Sequence, residues 1–344
     1  MRIGILGPIS WRIPPRHYGG WELVTYNLAE GLVARGHDVT LFATADSETS
    51  ARLLSICPRP LSEDPSLPPR VYESLHMALA LEHAAEFDLI HNHMGCYPVC
   101  CSRVIPVPMV TTLHGSAAED HSRIIYSRYR DSFYVSITDA ERRLAPDLNY
   151  VDTVYNGIDV RAFDFSDRHG DYLLVLGRMS PDKGIHSAIA VAQRCGIRLI
   201  LAGIVPRENE EYFETQVRPH LKPGFIDFIG PADHAAKNRL MRGAYALLHL
   251  ITYHEAFGLT MVEAMACGTP VIAVPMGSVP ELVLHGETGF WADDVEEACS
   301  VLPQVAHLDR ARCRQWVEER FGLDQMVDRY MQVYERVLRV AGRP

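Results

Sequence analysis

Short apolar, β-branched runs alternate along this chain with longer stretches whose apolar positions recur at helical spacing. RIGILG, residues 2–7, is the first strand-like run. WELVTYNLAEGLVARG, residues 21–36, predicts a helix that Gly36 stops, and HDVTLFAT predicts the next strand. FDLIHNH (87–93), PMVTTLHG (108–115) and SFYVSIT (132–138) continue the series, separated by segments long enough to hold helices. Such alternation predicts a parallel sheet covered by helices on both faces.

The pattern then restarts. GDYLLVLGR (170–178), IRLILAGI (197–204), GFIDFIG (224–230), YALLHLI (245–251) and TPVIAV (269–274) read as a second set of strands. HSAIAVAQRCG and DHAAKNRLMRGA read as helices between them. The turn-rich, polar stretch from Tyr155 to Gly170 marks the boundary. The expected domains are 1–160 and 161–325. Residues 326–344 form a closing amphipathic helix with Met326, Tyr330, Val333 and Val337 on one face, and the N-terminal domain is the candidate surface for it to pack on. Two doubly wound units are expected to leave a cleft between them, with ligands beyond the carboxyl ends of the strands.

Composition narrows this picture. The 344 residues are 47% hydrophobic and 22% charged, the mix of a globular protein long enough for two domains. A formal charge of −10 argues against nucleic acid as partner. No apolar stretch reaches the length of a membrane span, and the opening residues read as a first strand rather than a signal peptide. The eight cysteines form no Cys-x-x-Cys pair and read as reduced thiols in the cytoplasm. His91, His93, Cys96 and Cys100 are candidate zinc ligands, but the two histidines follow a strand at strand spacing and no second ligand pair follows at usual spacing, which favours a strand end followed by a loop. Arg123, Arg128 and Arg130 beside two tyrosines suggest contact with an anionic membrane or a phosphorylated acceptor. Glu119, Asp120 and Asp131 among them favour a solvated helix face instead.

Candidate chemistry lies just after strands. GPISWRIPPRHYGGWE brings Gly19 and Gly20 to a helix start, where backbone N–H groups can meet an anion or simply form a surface turn. It lacks the dinucleotide fingerprint Gly-x-Gly-x-x-Gly. His114 ends a strand and is either a site residue or a core histidine. In GRMSPDKG, Arg178 and Lys183 put two cations on one turn, which suits a diphosphate: one side chain is a planar fork and the other a point charge. In HEAFGLTMVEAMACGTPVIA, a helix is expected from near Gly258 through Cys267, with Glu255 outside its start and Glu263 inside. Backbone N–H groups around Phe257 to Thr260 could grip phosphate or sugar oxygens, with Glu255 accepting from a sugar hydroxyl and Glu263 from a second hydroxyl pair such as a ribose. Neither acid is assigned a core role. ADD, residues 292–294, reads as the cap of the next helix rather than an Asp-x-Asp metal site.

Several segments together resemble retaining glycosyltransferases of family 4. GRMSPDKG is similar to their Gly-Arg-x5-Lys turn, and EAFGLTMVEAMACGTPVIAV to their Glu-x7-Glu element, with Glu255 and Glu263 as the two acids. GSVPELVLHGETGFW resembles the Gly-rich turn that follows, while GLVARGHDVTLFAT and FDLIHNH resemble the N-terminal half. The resemblance implies a GT-B fold: two Rossmann-like domains facing across a cleft that holds the donor. It implies that Arg178, Lys183, Gly20, Leu259 and Thr260 bind the donor diphosphate, with Gly19 a further loop contact. Glu255, Ala256, Phe257 and Gly258 would hold the donor sugar, Glu263 the ribose, and His114 would sit near the transferred sugar, with His114 and Glu255 as the catalytic candidates. The insertion SWRIPPRHY departs from shorter family versions. The implied reaction moves a hexose from a nucleotide diphosphate sugar to a sugar, small-molecule or lipid-linked acceptor, by front-face attack and with no metal or other cofactor. The rivals are a sugar-nucleotide epimerase or phosphorylase on the same fold, and a nucleotide-sugar-binding protein without turnover.

Overall fold

The computed structural model describes residues 1–16 and 19–342. The chain divides into two compact units. The first holds Met1–Ile158 and Leu323–Pro344, the second Asp159–Gly322. Residues 159 and 160 thus fall in the second unit, and 323–325 in the first.

The first unit is built on seven parallel strands: β1 Arg2–Leu6, β2 Asp38–Phe42, β3 Arg52–Leu54, β4 Leu89–Asn92, β5 Met109–Leu113, β6 Phe133–Ser136 and β7 Tyr150–Thr153. Their order is β3-β2-β1-β4-β5-β6-β7. β1 pairs with β2 from Ile3↔Val39 to Leu6↔Phe42, and with β4 from Ile3↔Leu89 to Leu6↔Asn92. The central strands are apolar almost throughout because helices cover both faces, so Ile3, Ile5, Leu41, Ile90 and Val110 are all fully buried. Helix Gly20–Ala34 follows β1, and Gly36, at φ 80°, ends its turn as the sequence predicts.

Helix Leu323–Val340 belongs to this unit. It buries Met326, Tyr330, Val333, Tyr334 and Val337, the face the apolar spacing predicts with Tyr334 added. Arg35 reaches Asp324 and Asp328 on it, while its own Arg329 and Arg336 both reach Asp152 on β7.

The second unit has six strands: β8 Tyr172–Leu176, β9 Arg198–Ala202, β10 Ile226–Phe228, β11 Ala246–His249, β12 Val271–Ala273 and β13 Gly289–Trp291. All pair in parallel in the order β10-β9-β8-β11-β12-β13. Leu173, Val175, Leu199, Leu201, Leu248 and Ile272 pack against helix Ile185–Cys195 and the helix Val295–Val301. Asp294 caps the latter by accepting from the Glu297 N–H at 2.9 Å, the role its sequence context suggested.

Strand order reverses direction between β1 and β4 in one unit and between β8 and β11 in the other. Loops leaving such a pair by their carboxyl ends are where an open α/β sheet binds ligands.

Candidate functional site

In the second unit the loops after β8 and β11 are joined. The Thr252 N–H donates to the Asp182 carbonyl at 2.9 Å. Gly184, at φ 64°, starts helix Ile185–Cys195 where a Cβ would lie 1.7 Å from the Leu250 carbonyl oxygen, so a glycine is needed for the first loop to lie against the end of β11. This junction brings Lys183 to Glu255. Lys183 Nζ lies 3.4 Å from Glu255 Oε2, hydrogen-bonds to the Tyr253 hydroxyl, and sits 4.6 Å over the Tyr253 ring. His249, the last residue of β11, donates from Nε2 to Glu255 Oε2 at 3.1 Å, and the Tyr253 hydroxyl donates to the same oxygen. Burial alone pushes the Glu255 carboxyl up. The hydrogen bond from His249, the Lys183 charge and the Tyr253 hydroxyl outweigh it and hold the group well below the usual carboxylate range.

Each cation of the turn has an acid beside it. Arg178 Nη2 lies 3.5 Å from Asp182 Oδ2. The cluster is therefore close to neutral, because Asp182 and Glu255 lie beside the two cations of the turn. Arg178 also keeps a buried spare donor: its Nε meets no acceptor among the described residues.

Helix Leu259–Ala266 begins at Gly258, whose φ of 88° and ψ of 61° are left-handed. A Cβ there would meet Met261 Cε at 2.4 Å. Its N-cap, Gly258, has no side chain to cap it, so the N–H groups of Leu259 and Thr260, both partly exposed, open its first turn. Phe257 is buried edge-on against Phe321, and its carbonyl accepts from Ser278 Oγ at 2.7 Å. Its side chain anchors the loop, leaving only its backbone for a ligand. The Ser278 N–H donates to the Glu255 carbonyl at 2.9 Å, fixing the segment that carries Ala256.

Glu263 lies on the same helix, 3% exposed, with Lys237 Nζ of helix His234–Gly243 at 3.7 Å. Both acids are thus buried and ion-paired. This corrects the expectation that neither has a structural role, because removing one charge of a buried pair leaves the other uncompensated. His249, Tyr253, Lys237 and Ser278 were not singled out from the sequence. Only His249 left a signal there, as a histidine breaking the apolar run YALLHLI.

In the first unit Gly20 is the first residue of helix Gly20–Ala34 and Gly19 precedes it at φ 148°. His17 and Tyr18 of the SWRIPPRHY insertion lie outside the described residues. Beside Gly19 is a residue sequence reasoning missed. Glu22 is 4% exposed and accepts from the Trp11 N–H at 3.3 Å, and burial raises its carboxyl to about 7 against the lowering effect of backbone hydrogen bonds. A carboxyl raised on folding favours the folded state below its unfolded value and loses that contribution as pH rises through the folded one. Glu22→Gln is therefore expected to stabilise the protein by about 2–3 kcal/mol at pH 8 and to be nearly neutral at pH 4.5. Denaturant titrations at both pH values check this.

His114 follows β5, 7% exposed, with its ring stacked on Trp21 at 5.5 Å. Its Nε2 is 2.7 Å from His93 Nδ1, and burial lowers it to about 3, so the imidazole is neutral at ordinary pH. It lines a pocket of roughly 180 Å³ with Trp21, Tyr97, Ser116, Glu119 and His121, all of the first unit. The candidates His91 and His93 bond to each other and to their neighbours. Among the described residues no cluster of three His, Cys, Asp or Glu could hold a metal ion. Arg123, Arg128 and Arg130 are exposed on and just after helix Asp120–Arg128, and no described helix is long and apolar enough to cross a membrane.

The comparisons with known proteins follow these two units. Residues 18–161 match the model described as glycosyltransferase family 4, and residues 161–312 match that of glycosyl transferases group 1. The chain is 26% identical over 375 residues to a phosphatidyl-myo-inositol mannosyltransferase of Mycobacterium leprae, covering 98% of this chain and 97% of that protein. It is 27% identical over 340 residues to a glycogen synthase of Mycobacterium tuberculosis, covering 82% and 80%. Among solved structures, sucrose-phosphate synthase from Thermosynechococcus elongatus superposes with a TM-score of 0.81 at 20% identity, over 99% of this chain and 100% of that one. Anabaena HepE in complex with UDP and glucose gives 0.76 at 20% identity, over 98% and 100%. Two parallel-sheet units, family matches that run from residue 18 to residue 312 and these neighbours agree that the chain belongs to the family 4 glycosyltransferases and has the GT-B fold.

Proposed function

We propose that this glycosyltransferase moves a hexose from a nucleotide diphosphate sugar to an acceptor hydroxyl with retention at the anomeric carbon. The bond from that carbon to the diphosphate breaks and the bond to the acceptor oxygen forms on the same face. The acceptor's proton passes to the departing phosphate oxygen. The observation that carries this reading is the meeting of Lys183 and Glu255 at the β8–β11 reversal, beside the uncapped helix start at Gly258.

The negative charge that develops on the leaving diphosphate needs donors held in place beforehand. Lys183 supplies them: an ammonium has three protons, so it can hold Glu255 and a phosphate oxygen together. Arg178 adds the buried Nε, which meets no acceptor among the described residues. The N–H groups of Leu259 and Thr260 add the helix-start contribution, and Gly20, with Gly19, supplies the same in the first unit. Glu255, together with the backbone of Ala256, Phe257 and Gly258, holds the sugar. Glu263 takes the ribose hydroxyls, and His114 meets the transferred sugar. Complexes of HepE with UDP, and with UDP and glucose, support a nucleotide sugar as donor class. The eight free cysteines support placement in the cytoplasm.

Because Lys183, Arg178 and backbone N–H groups meet the diphosphate charge, activity is expected to survive EDTA. Loss on chelation with return on adding magnesium or manganese would transfer that role to a metal. Thermal shift with UDP-, GDP- and ADP-sugars tests the donor class. One of the three is expected to raise the unfolding temperature well above its free sugar, and equal response to all free sugars with none to the nucleotides would overturn the reading.

A further inference from the structure

The pocket beside His114 holds roughly 180 Å³, less than the roughly 300–1,000 Å³ of sites for drug-sized ligands, which suits one ring better than a chain of them. Two aromatic side chains of its lining stay open to solvent, Trp21 at 44% and Tyr97 at 56% exposure. Trp21 is nonetheless held in place. Its ring stacks on His114, with centroids 5.5 Å apart and planes at 26°, and a Cβ on Gly115 would touch it at 3.6 Å. An exposed, fixed aromatic ring offers an apolar surface beside wet, polar groups. A sugar ring matches it: its C–H groups are weakly positive and fit a negative π face, while its hydroxyls need polar partners.

Charge decides which sugar. Glu119 is the one acid in the lining, and no Lys or Arg of the described residues lines this pocket. Glu119 is the N-cap of helix Asp120–Arg128, yet its side chain accepts no N–H of that helix, so the carboxylate is left for a ligand. Burial is the main cause that raises the Cys96 thiol and the Tyr126 phenol, two further groups of the lining, and the Glu119 charge adds to it in both. Its field is thus felt inside the pocket. With Asp120 it also answers the partial positive charge of the helix start. Arg123 and Arg130 line a second hollow, of roughly 340 Å³, which shares only Tyr126 with the first. A phosphate or carboxylate on a ring beside His114 would therefore meet an acid and no cation.

We propose that this pocket takes the ring that carries the accepting hydroxyl, and that the ring is an uncharged sugar, packed against Trp21 and Tyr97 with hydroxyls donating to Glu119. The proposal rests on the transfer reaction given above and narrows its acceptor to one whose reacting ring bears no phosphate or carboxylate.

The test uses the full chain and the nucleotide sugar that thermal shift selects. Methyl glycosides of glucose, mannose, galactose and N-acetylglucosamine are supplied as acceptors, each beside its monophosphate ester, and products are read by mass spectrometry. At least one neutral glycoside is expected to be glycosylated about tenfold faster than its ester, which sets a like charge beside Glu119. Glu119→Lys should reverse that ranking. Glu119 is exposed, so this change tests the charge without emptying the core. Trp21→Ala should raise KM for the neutral glycoside about tenfold, the scale of a lost ring contact, with affinity for the nucleoside diphosphate kept. Equal or faster transfer to the esters, a ranking that Glu119→Lys leaves unchanged, or donor hydrolysis with transfer to none of the glycosides would each overturn the acceptor assignment and leave the donor reading standing. No consumption of any nucleotide sugar would overturn both.

Discussion

Lys183→Ala is expected to weaken binding of the nucleoside diphosphate roughly 10- to 150-fold and to cost about 3 kcal/mol of stability, two effects with separate origins. The affinity loss is that of a charge-assisted contact to phosphate, worth about 1.5–3 kcal/mol. The stability loss comes from Glu255, a buried carboxylate that would keep His249 and Tyr253 but lose its cation. Those two remaining partners put the cost at the lower end of the range for a broken buried pair. Arg178→Ala separates the two effects. Its partner Asp182 is more than a third exposed, so stability should change little while diphosphate affinity still falls. Calorimetric titration with the nucleoside diphosphate and denaturant unfolding of both variants check this. Unchanged affinity in both, with the fold intact, would remove the diphosphate from this turn.

Glu255→Gln and Glu263→Gln are expected to fail differently. Glu255 is proposed to meet the sugar whose anomeric carbon gains positive charge, so its carboxylate interacts more strongly in the transition state than before it. Such interactions act on kcat. A loss of about 10²–10³-fold in kcat is expected for Glu255→Gln, with affinity for the bare nucleoside diphosphate nearly kept. Glu263 is assigned to a ribose that does not react, so Glu263→Gln should weaken diphosphate and whole donor alike. Both variants are also expected to unfold somewhat earlier than the parent, since each leaves a lysine, Lys183 or Lys237, without its buried acid. Steady-state kinetics beside titration of the product nucleotide separates the two. Equal loss of nucleotide affinity in both would show that the division of labour is wrong.

The central strands were legible because they are covered on both faces and therefore read as apolar runs. The strands that escaped are β3, β7 and β13, all at sheet edges. β3 and β13 are three residues long, and every residue of β7 is partly exposed, so apolar spacing has little to register. At the site, the spacing Glu255 to Glu263 and the turn from Arg178 to Lys183 can be read along the chain. What surrounds them cannot. His249 meets Glu255 because β11 ends beside its own exit loop. Lys237 reaches Glu263 from a neighbouring helix. Tyr334 touches His91 across 243 residues of sequence. The helical spacing placed Tyr330 on the buried face of the closing helix, but a buried hydroxyl acquires a role only through the acceptor it meets. Glu22 was passed over for the opposite reason: an acid in the first turn of a helix looks like ordinary dipole compensation until its burial is known.

The central claim is that the chain transfers a sugar from a nucleotide diphosphate sugar with its configuration kept, and water can stand in for the acceptor. Proton NMR of the slow hydrolysis of the matching α-linked donor, read before the free sugar mutarotates, reports the anomer first released. A retaining transfer releases the α anomer first, formed by the parent and strongly reduced in Glu255→Gln. First release of the β anomer, or turnover of a sugar 1-phosphate with none of the nucleotide sugar, would contradict it.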